Sequence, residues 1–291
     1  MSHTFRRIRD LLVASLAAGV SIATAQITAI TGSAVSVDLS GVITVLDNHS
    51  STLRQYAPDG TRLREIGGQG WGNDQFDRPA GVWAKNGIDV FVADFGNHRI
   101  QRFDNALAFV STLFTRDNND PAKRFGYPTG VTLSRLGDLF ICDGENNRIA
   151  KVGSTNQVEL TFGGFGAGSG RLTHPLQLDC GPNDDVYVLD PPHIVIFDAF
   201  GNYVGELAPG MFRDPIALSA DQSHILVVDT VGMYVFDDRQ QMVGHAPLPV
   251  SSQSGEISGC AVTAHTIYLI GAAGLGVYPL EGLLDKERNS H

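Results

Sequence analysis

Apolar and polar residues alternate along this chain in short runs, and few stretches have the spacing of an amphipathic helix. One run recurs, in which four or five mostly apolar residues are followed by an aspartate. It has five such copies and a sixth with glycine in place of the aspartate: Val42–Asp47, Val90–Asp94, Leu139–Asp143, Val186–Asp190, Ile225–Asp229 and Ile267–Gly271. The five aspartates are separated by 47, 49, 47 and 39 residues, and Gly271 follows 42 residues after the last. The runs predict buried β-strands that belong to a repeating unit.

Other elements recur in step with these strands. A proline opens a short apolar strand ahead of four of them: Pro79–Val82, Pro128–Val131, Pro175–Leu178 and Pro215–Leu218. A third strand follows the aspartate: Arg99–Asp104, Arg148–Val152, Ile194–Asp198 and Met233–Asp237. Turn residues such as Asp59-Gly60 then lead into a fourth strand. Four short strands in each of six repeats predict an all-β fold, a six-bladed β-propeller.

The repeats begin in the middle of a blade, so the last blade needs a strand from the N-terminal end of the chain. We expect Ile27–Thr31 to supply this outer strand and to close the ring, which would leave no exposed sheet edge. The predicted propeller covers residues 26–284. The polar residues 285–291 are predicted to form a C-terminal tail.

The turn after the aspartate carries a motif of its own. Asp94–Ile100 and Asp143–Ile149 both fit Asp-x-x-Asn-x-Arg-Ile and both follow a strand with the pattern Pro-x-Gly-Val. In this combination the sequence resembles the NHL repeat. The resemblance extends over residues 27–284, although the blades that contain Asp190 and Asp229 keep the aspartate and lack the Asn and Arg. It implies a closed six-bladed propeller built from NHL-like repeats.

The first 25 residues are predicted to be a signal peptide. Three arginines (Arg6, Arg7 and Arg9) precede the apolar run Leu11–Val20, and Ala23–Ala25 fits the small-residue pattern of a cleavage site. A membrane anchor is the alternative, but the apolar run is shorter than the roughly 20 residues that a spanning helix needs. We therefore expect an exported protein, periplasmic or extracellular, with no membrane span after cleavage.

The charge of the chain excludes some classes of partner. Hydrophobic residues make up 43% and charged residues 18%, which favours a folded core. The net charge is -10, and cleavage would remove three arginines and one aspartate, giving -12. Nucleic-acid phosphates and anionic membrane surfaces are bound through Lys and Arg. We therefore expect no nucleic-acid partner.

The three cysteines are Cys142, Cys180 and Cys260. Exported proteins that depend on disulfides usually carry an even and dense set of cysteines. We expect these three to be small buried side chains, with one disulfide left open as an alternative.

Two sequence features invite a chemical interpretation that their context does not support. The Asp-x-x-Asn-x-Arg motif contains a carboxylate, an amide and a guanidinium, but a turn is needed in every blade and a catalytic group only once. Asp and Asn cap turns, and Arg can pair with a carboxylate across a blade boundary, so a structural role is favoured. The glycine-rich segments 67–72 and 163–170 lack the Gly-Lys-Ser/Thr of a phosphate loop and are interpreted as connectors between blades.

Known enzymes with related folds suggest two metal sites, and the sequence fits neither of them. The peptide-amidating lyase of the NHL group binds zinc through histidines directly after the blade prolines. In this chain those positions hold residues that are not zinc ligands: Ala80, Thr129, Leu176 and Ile216. Related six-bladed lactonases hold calcium through Glu, Asn and Asp at the channel mouth, and we identify no such set. The sequence therefore names no catalytic residue, no metal ligand and no cofactor.

One set of residues is a candidate binding site. The residues directly before the four prolines differ in chemistry from blade to blade, and the repeat places them near one rim of the central channel: Arg78, Tyr127, His174 and Asp214. From this we expect a non-catalytic exported propeller, not an enzyme. It would be a scaffold that binds another protein or a cell-envelope component, or a subunit of an envelope complex. The alternative is a metal-dependent hydrolase or lyase with its site in the central channel.

Overall fold

A computed structural model describes residues 25–27, 29–248 and 257–288 of the 291-residue chain. The described residues form six four-stranded antiparallel sheets, which follow one another around a ring. The fold is therefore all-β, and the predicted six-bladed propeller is confirmed.

Each of the first three blades consists of four strands in chain order from the channel outward. Blade 1 contains β2 (Ala34–Val37), β3 (Ile43–Asp47), β4 (Thr52–Tyr56) and β5 (Arg62–Gly67). Blade 2 contains β6 (Gly81–Trp83), β7 (Asp89–Asp94), β8 (Arg99–Asp104) and β9 (Phe109–Phe114). Blade 3 contains β10 (Pro128–Leu133), β11 (Leu139–Asp143), β12 (Arg148–Val152) and β13 (Val158–Phe162).

The other three blades follow the same plan. Blade 4 contains β14 (Gln177–Cys180), β15 (Val186–Asp190), β16 (His193–Phe197) and β17 (Tyr203–Glu206). Blade 5 contains β18 (Pro215–Ala220), β19 (Ile225–Asp229), β20 (Gly232–Phe236) and β21 (Met242–Pro247). Blade 6 contains β22 (Ile257–Val262), β23 (Thr266–Gly271) and β24 (Gly274–Pro279), and its fourth strand is β1 (Ala25–Ile27).

Strand β1 closes the ring. It pairs with β24 in antiparallel register, with Gln26 opposite Gly276 and Ile27 opposite Leu275. The prediction of an N-terminal outer strand is confirmed, although the strand begins at Ala25 and ends where the predicted one begins. Ala25 is also the last residue of the predicted signal peptide, and residues 1–24 of that segment lie outside the described part of the chain.

The last described residues form a short helix, which overlaps the predicted polar tail over residues 285–288. Helix α1 (Glu281–Arg288) packs against β21 and β24. Its Leu283 is fully buried in the same cluster as Leu280, and this apolar pair ties the start of the helix to blades 5 and 6. Within the described residues, no helix is long and apolar enough to cross a membrane.

The core lies in layers between neighbouring blades. In one layer Phe140 and Cys142 of blade 3 pack against Leu178 and Val188 of blade 4. Side chains alternate across each strand, so every blade buries apolar residues on both of its faces. Cys142, Cys180 and Cys260 are all buried free thiols, as the preferred interpretation predicted.

The aspartate motif is a structural clamp. Asp94 is fully buried and accepts hydrogen bonds from the backbone N–H of Asp77 (2.8 Å), from Asn97 (2.9 Å) and from Nε of Arg99 (2.7 Å). The guanidinium of Arg99 also donates to backbone carbonyls of the connector between blades 1 and 2, including that of Trp71 (3.0 Å). The structural role is confirmed. The arginine pairs with the aspartate of its own blade, however, and it reaches the neighbouring connector through carbonyls rather than a carboxylate.

Candidate functional site

The central channel opens on two faces of the ring. The turn face is formed by the turns between the first and second strands of each blade, such as residues 38–42 and 221–224. The connector face is formed by the connectors between blades and by the turns that carry the aspartate motif. The predicted rim residues lie on the connector face, because each comes directly before the first strand of its blade.

Polar side chains protect the inner strands that line the channel. Ser36 accepts a hydrogen bond from the N–H of Ala84 in the next blade (2.9 Å), and Ser219 accepts one from Val262 in the same way (3.2 Å). Asp179 accepts from the N–H of Ala220 (2.8 Å). An innermost strand has one edge without a strand partner, and buried backbone N–H groups must be paired. At this register position a polar side chain in four blades, with Thr132 as the fourth, therefore accepts a hydrogen bond from the inner strand of the next blade.

Lys85 spans the channel. It follows β6 in blade 2, and its ammonium group forms an ion pair with Asp179 in blade 4 and donates to the carbonyl of Ala220 in blade 5. The side chain of Asp179 is 7% exposed and that of Lys85 is 22% exposed. Asp179 also accepts a hydrogen bond from Thr132 of blade 3 (3.0 Å). A charged pair in the channel is thus held by four blades.

The two ends of the channel differ in size. A small cavity of about 60 Å³ lies among the inner strands of all six blades, where glycines such as Gly81 and Gly130 allow close packing. On the turn face the channel widens into a cavity of about 640 Å³, which we call the mouth cavity. Lys85 and Trp83 line both spaces, so the ion pair lies at their boundary. Ligand sites in proteins typically have volumes of about 300–1,000 Å³.

The mouth cavity has apolar walls and a few ionisable groups. Its apolar lining comes from several blades: Val37, Leu39, Trp83, Leu133, Val262 and Tyr268. Its ionisable groups include Asp38, Lys85, Asp221 and His265. An apolar pocket with a small number of convergent polar groups is the usual form of a small-molecule site.

Asp221 is an ionised carboxylate on the cavity wall. Its Oδ1 accepts hydrogen bonds from the N–H groups of Ser223 and His224, both at 2.7 Å. Burial alone would raise the pKa of Asp221, but the hydrogen bonds from His224 and Ser223 outweigh it and lower the pKa below its usual value. Across the described residues, its Oδ2 accepts no hydrogen bond, so this oxygen is available to a bound molecule.

Three other groups at the channel, a phenol and two thiols, are held in their neutral forms. Burial raises the pKa of the Tyr268 phenol, which therefore keeps its proton and can donate a hydrogen bond. Burial also raises the pKa of the thiols of Cys180 and Cys260, and the negative charge of nearby Asp179 raises both pKa values further. A thiol in this state is a poor nucleophile, so neither cysteine is a candidate for covalent catalysis.

On the connector face the structure brings two of the four predicted rim residues together. The guanidinium of Arg78 lies 5.4 Å from the centre of the Phe95 ring, and that ring lies 5.1 Å from the ring of Tyr127. Both Arg78 and Tyr127 adopt left-handed backbone conformations, with φ of 48° and 47°. His174 and Asp214 are exposed and are tied to their blades through backbone N–H groups bonded to Asp190 and Asp229. Binding at this rim stays a prediction.

His98 belongs to the same connector-face cluster. Its Nδ1 accepts a hydrogen bond from the N–H of Tyr127 (3.1 Å) and lies 2.9 Å from the guanidinium of Arg116, which pairs with Glu145. Burial, followed by the positive charge of Arg116, lowers the pKa of His98. The ring is therefore neutral with its proton on Nε2, which suits hydrogen-bond donation rather than proton abstraction.

The residues that the structure describes contain no group of three or more His, Cys, Asp or Glu side chains placed to hold a metal ion. For the metal of the alternative function, the described residues therefore offer no ligand set of this kind.

Comparison with known proteins places the chain among propellers. The NHL-repeat family profile matches residues 125–152, which include the first three strands of blade 3. No curated protein matches the chain significantly by sequence. Among solved structures, a gluconolactonase from Xanthomonas campestris is similar with a TM-score of 0.62 at 16% identity, over 86% of each chain. Virginiamycin B lyase from Staphylococcus aureus gives 0.59 at 14% identity, over 84% of this chain and 78% of that one.

A streptogramin B lyase is also similar, with a TM-score of 0.58 at 12% identity over 88% of this chain and 85% of that one. The expectation that this chain is not an enzyme is wrong by this comparison, because the similar structures with the same propeller fold are enzymes. At such low identity the likeness shows the fold alone, so the acting residues must come from the geometry of this chain.

Sequence reasoning missed the residues of the mouth cavity. Lys85 and Asp179 are 94 positions apart in blades that are not neighbours, so no local motif joins them. One signal was present: Asp179 occupies the register position at which other blades have Ser36, Thr132 and Ser219. Blades 2 and 6 have Trp83 and Ala261 there, so blade 4 is the one whose residue at this position carries a full charge.

Proposed function

We propose that this chain, a six-bladed β-propeller with an NHL-repeat match in blade 3, is an enzyme of the hydrolase or lyase class whose substrate binds in the mouth cavity of the central channel. The observation that carries the proposal is the cavity of about 640 Å³, which is lined by an ionised carboxylate and ends at a lysine ammonium. The named activities of the similar structures, a gluconolactonase and two lyases, support this class of reaction.

The residues have separable roles. Asp221 has a free oxygen and is ionised, so it would accept a proton, either from water or from a carbon atom of the substrate. Lys85 supplies positive charge at the inner end of the cavity, and Tyr268 supplies a phenolic proton donor. Both would stabilise negative charge that develops on an oxygen of the substrate. His265, which also lines the cavity wall, would pass a proton to the leaving group.

These roles fit cleavage of a carbon–oxygen bond beside a carbonyl group. In hydrolysis, water loses a proton to Asp221, its oxygen bonds to the acyl carbon, the ester bond breaks, and the leaving oxygen receives a proton. In elimination, Asp221 takes the proton from the carbon next to the carbonyl, a double bond forms between that carbon and the next one, and the carbon–oxygen bond at that next carbon breaks. The leaving oxygen keeps the electron pair and receives a proton. Both reactions need one proton acceptor and a site for an oxyanion, and neither consumes an oxidant or reductant.

The test is turnover of a panel of esters and lactones by the purified protein and by Asp221→Asn. We expect measurable turnover that falls about 100-fold in the variant, the usual contribution of a general base. Asp237→Asn is the matched control, because Asp237 accepts two backbone hydrogen bonds in an equivalent turn of the same blade, away from the cavity. Equal activity of Asp221→Asn and the unchanged protein would contradict the proposal.

A further inference from the structure

The edge of the mouth cavity is apolar on one side. Three successive blades each carry a large aliphatic residue on the turn between their first two strands, and all three are exposed: Leu39 at 95%, Ile88 at 65% and Leu136 at 79%. Exposed aliphatic side chains are common singly, but Leu39 lines the mouth cavity itself, and Ile88 and Leu136 lie on turns that also contribute the lining residues Asn86 and Gly137.

The opposite side of the edge is polar. The corresponding turns of blades 4, 5 and 6 carry Asn183, Asp221 and His265. The cavity is therefore amphipathic, although its lining is not strictly divided between blades: Val262 and Tyr268 of blade 6 add apolar surface, and Asp38 and Lys85 of blades 1 and 2 add charge. A molecule that fills it needs an apolar body and a polar group.

The charges around the cavity select against an anion. The positive charge of Lys85 is balanced by Asp179, and that of Arg135 by Asp184, whose Oδ1 lies 3.4 Å from Nε of the arginine. Asp38 and Asp221 remain as negative charges on the cavity wall. A carboxylate ligand would have to lose its hydration and lie near these two like charges.

From these features we propose that the mouth cavity binds an uncharged acyl compound, an ester or lactone with a large apolar body. The apolar body would rest against Leu39, Trp83 and Leu133, with the acyl group toward Asp221 and Lys85. That this compound is the substrate rests on the proposed function, whereas the binding preference of the cavity can be measured without turnover.

The binding test uses Trp83 as the reporter. The chain has two tryptophans, and the other, Trp71, lies in a connector on the far face, so a Trp71→Phe variant isolates the signal of Trp83. Methyl decanoate and decanoate share one apolar chain and differ in charge at neutral pH. We expect the Trp83 emission to change and saturate with methyl decanoate, at least about tenfold more tightly than with decanoate. Equal or tighter binding of decanoate, or no response to either compound, would overturn the proposal.

A second variant locates the binding. Leu39→Asp adds a charge to the apolar edge at a position 95% exposed, where the fold does not depend on the side chain. It should weaken methyl decanoate binding by about tenfold or more. Leu63→Asp, at an exposed position on the outer strand of blade 1, is the control and should leave binding unchanged. Equal effects of the two variants would show that the compound does not bind at this edge.

The same samples separate the two proposals. Saturable binding of methyl decanoate without turnover of any ester or lactone would refute the proposed function and leave the binding preference in place. Turnover that does not increase with the length of the acyl chain, with no response from Trp83, would refute the apolar substrate and leave the enzyme in place.

Discussion

Lys85 of blade 2 crosses the central channel and forms an ion pair with Asp179 of blade 4. Because the pair also contacts Ala220 of blade 5 and Thr132 of blade 3, it links four blades at the axis of the ring. It also forms the inner end of the mouth cavity. One pair thus contributes to the stability of the ring and to the electrostatics of the candidate site.

The first prediction concerns this pair. Lys85→Met leaves the carboxylate of Asp179 buried without its cation, and we expect the free energy of unfolding to fall by about 3 kcal/mol. The double variant Lys85→Met/Asp179→Asn removes the unpaired charge and keeps an oxygen acceptor for the N–H of Ala220, so it should recover part of the loss. Urea unfolding followed by fluorescence measures both.

Lys151→Met is the matched control for that variant. Lys151 pairs with Asp138 at 2.8 Å and donates to the carbonyl of Ala199 in blade 4 (3.0 Å), and its side chain is 15% exposed. Its carboxylate partner is 24% exposed, compared with 7% for Asp179. Loss of this pair should cost about 1 kcal/mol or less. If Lys151→Met lowered the free energy of unfolding as much as Lys85→Met, the position of the ion pair in the channel would not account for the effect.

The second prediction concerns the clamp of the aspartate motif. The forked guanidinium of Arg99 contacts Asp94 and three backbone carbonyls, a geometry that a lysine cannot reproduce. Arg99→Lys should lower the free energy of unfolding by about 2–4 kcal/mol, since fully buried Asp94 and three partly buried carbonyls lose well-placed donors. Arg148→Lys, in the same position of blade 3 but 16% exposed rather than 3%, should cost less. Thermal or urea unfolding that ranks the two variants in the reverse order would contradict this account of the clamp.

The third prediction concerns pH. Asp229 is fully buried and accepts hydrogen bonds from the N–H groups of Arg213 (2.7 Å), Asp214 (3.1 Å) and Val231 (3.1 Å). Burial alone would raise its pKa, but these bonds favour the ionised form and lower the pKa below its usual value. The native state therefore binds the proton less readily than the unfolded chain. Ionised Asp229 therefore contributes to the free energy of unfolding in full above the unfolded pKa of about 3.9. This contribution is lost as the pH falls through the lower folded pKa.

The Asp229→Asn variant has an amide at this position, which does not titrate, so it is the comparison that isolates the effect of Asp229. The difference in unfolding free energy between the unchanged protein and the variant should be constant from about pH 5 to 7 and shrink below about pH 4. Unfolding measured at a series of pH values checks this. A difference that grows on acidification would show that the folded pKa is raised instead.

The fold was predictable from the sequence because each blade repeats the same local physics. The apolar strand that ends at Asp94 or Asp143, the proline-initiated inner strand and the turn motif are each visible within about 20 residues. The ring closure was predictable as well, since the repeats begin mid-blade. The register of β1 was not predictable from the sequence. The short helix that begins at Glu281 was also not predicted, because its residues were assigned partly to the propeller and partly to the polar tail.

The candidate site was much less predictable. The mouth cavity is built from turns of different blades, and turns vary freely in sequence while the strands hold them in place. Asp221 and His265 look like ordinary turn residues in the sequence, and Lys85 precedes a common Asn-Gly turn. The four predicted rim residues follow from register alone, which fixes a position on the connector face but says nothing about which end of the channel is wide.

The most direct test of the central claim is turnover in a variant whose mouth cavity is blocked. Ser223→Trp places a large ring on an exposed turn at the cavity wall without disturbing the core, and Asn48→Trp places the same ring on an exposed turn of the opposite face. For the ester or lactone that the unchanged protein cleaves best, we predict that Ser223→Trp abolishes turnover and that Asn48→Trp retains it. Full activity in Ser223→Trp, with activity lost in Asn48→Trp, would place the active site on the connector face and contradict the account.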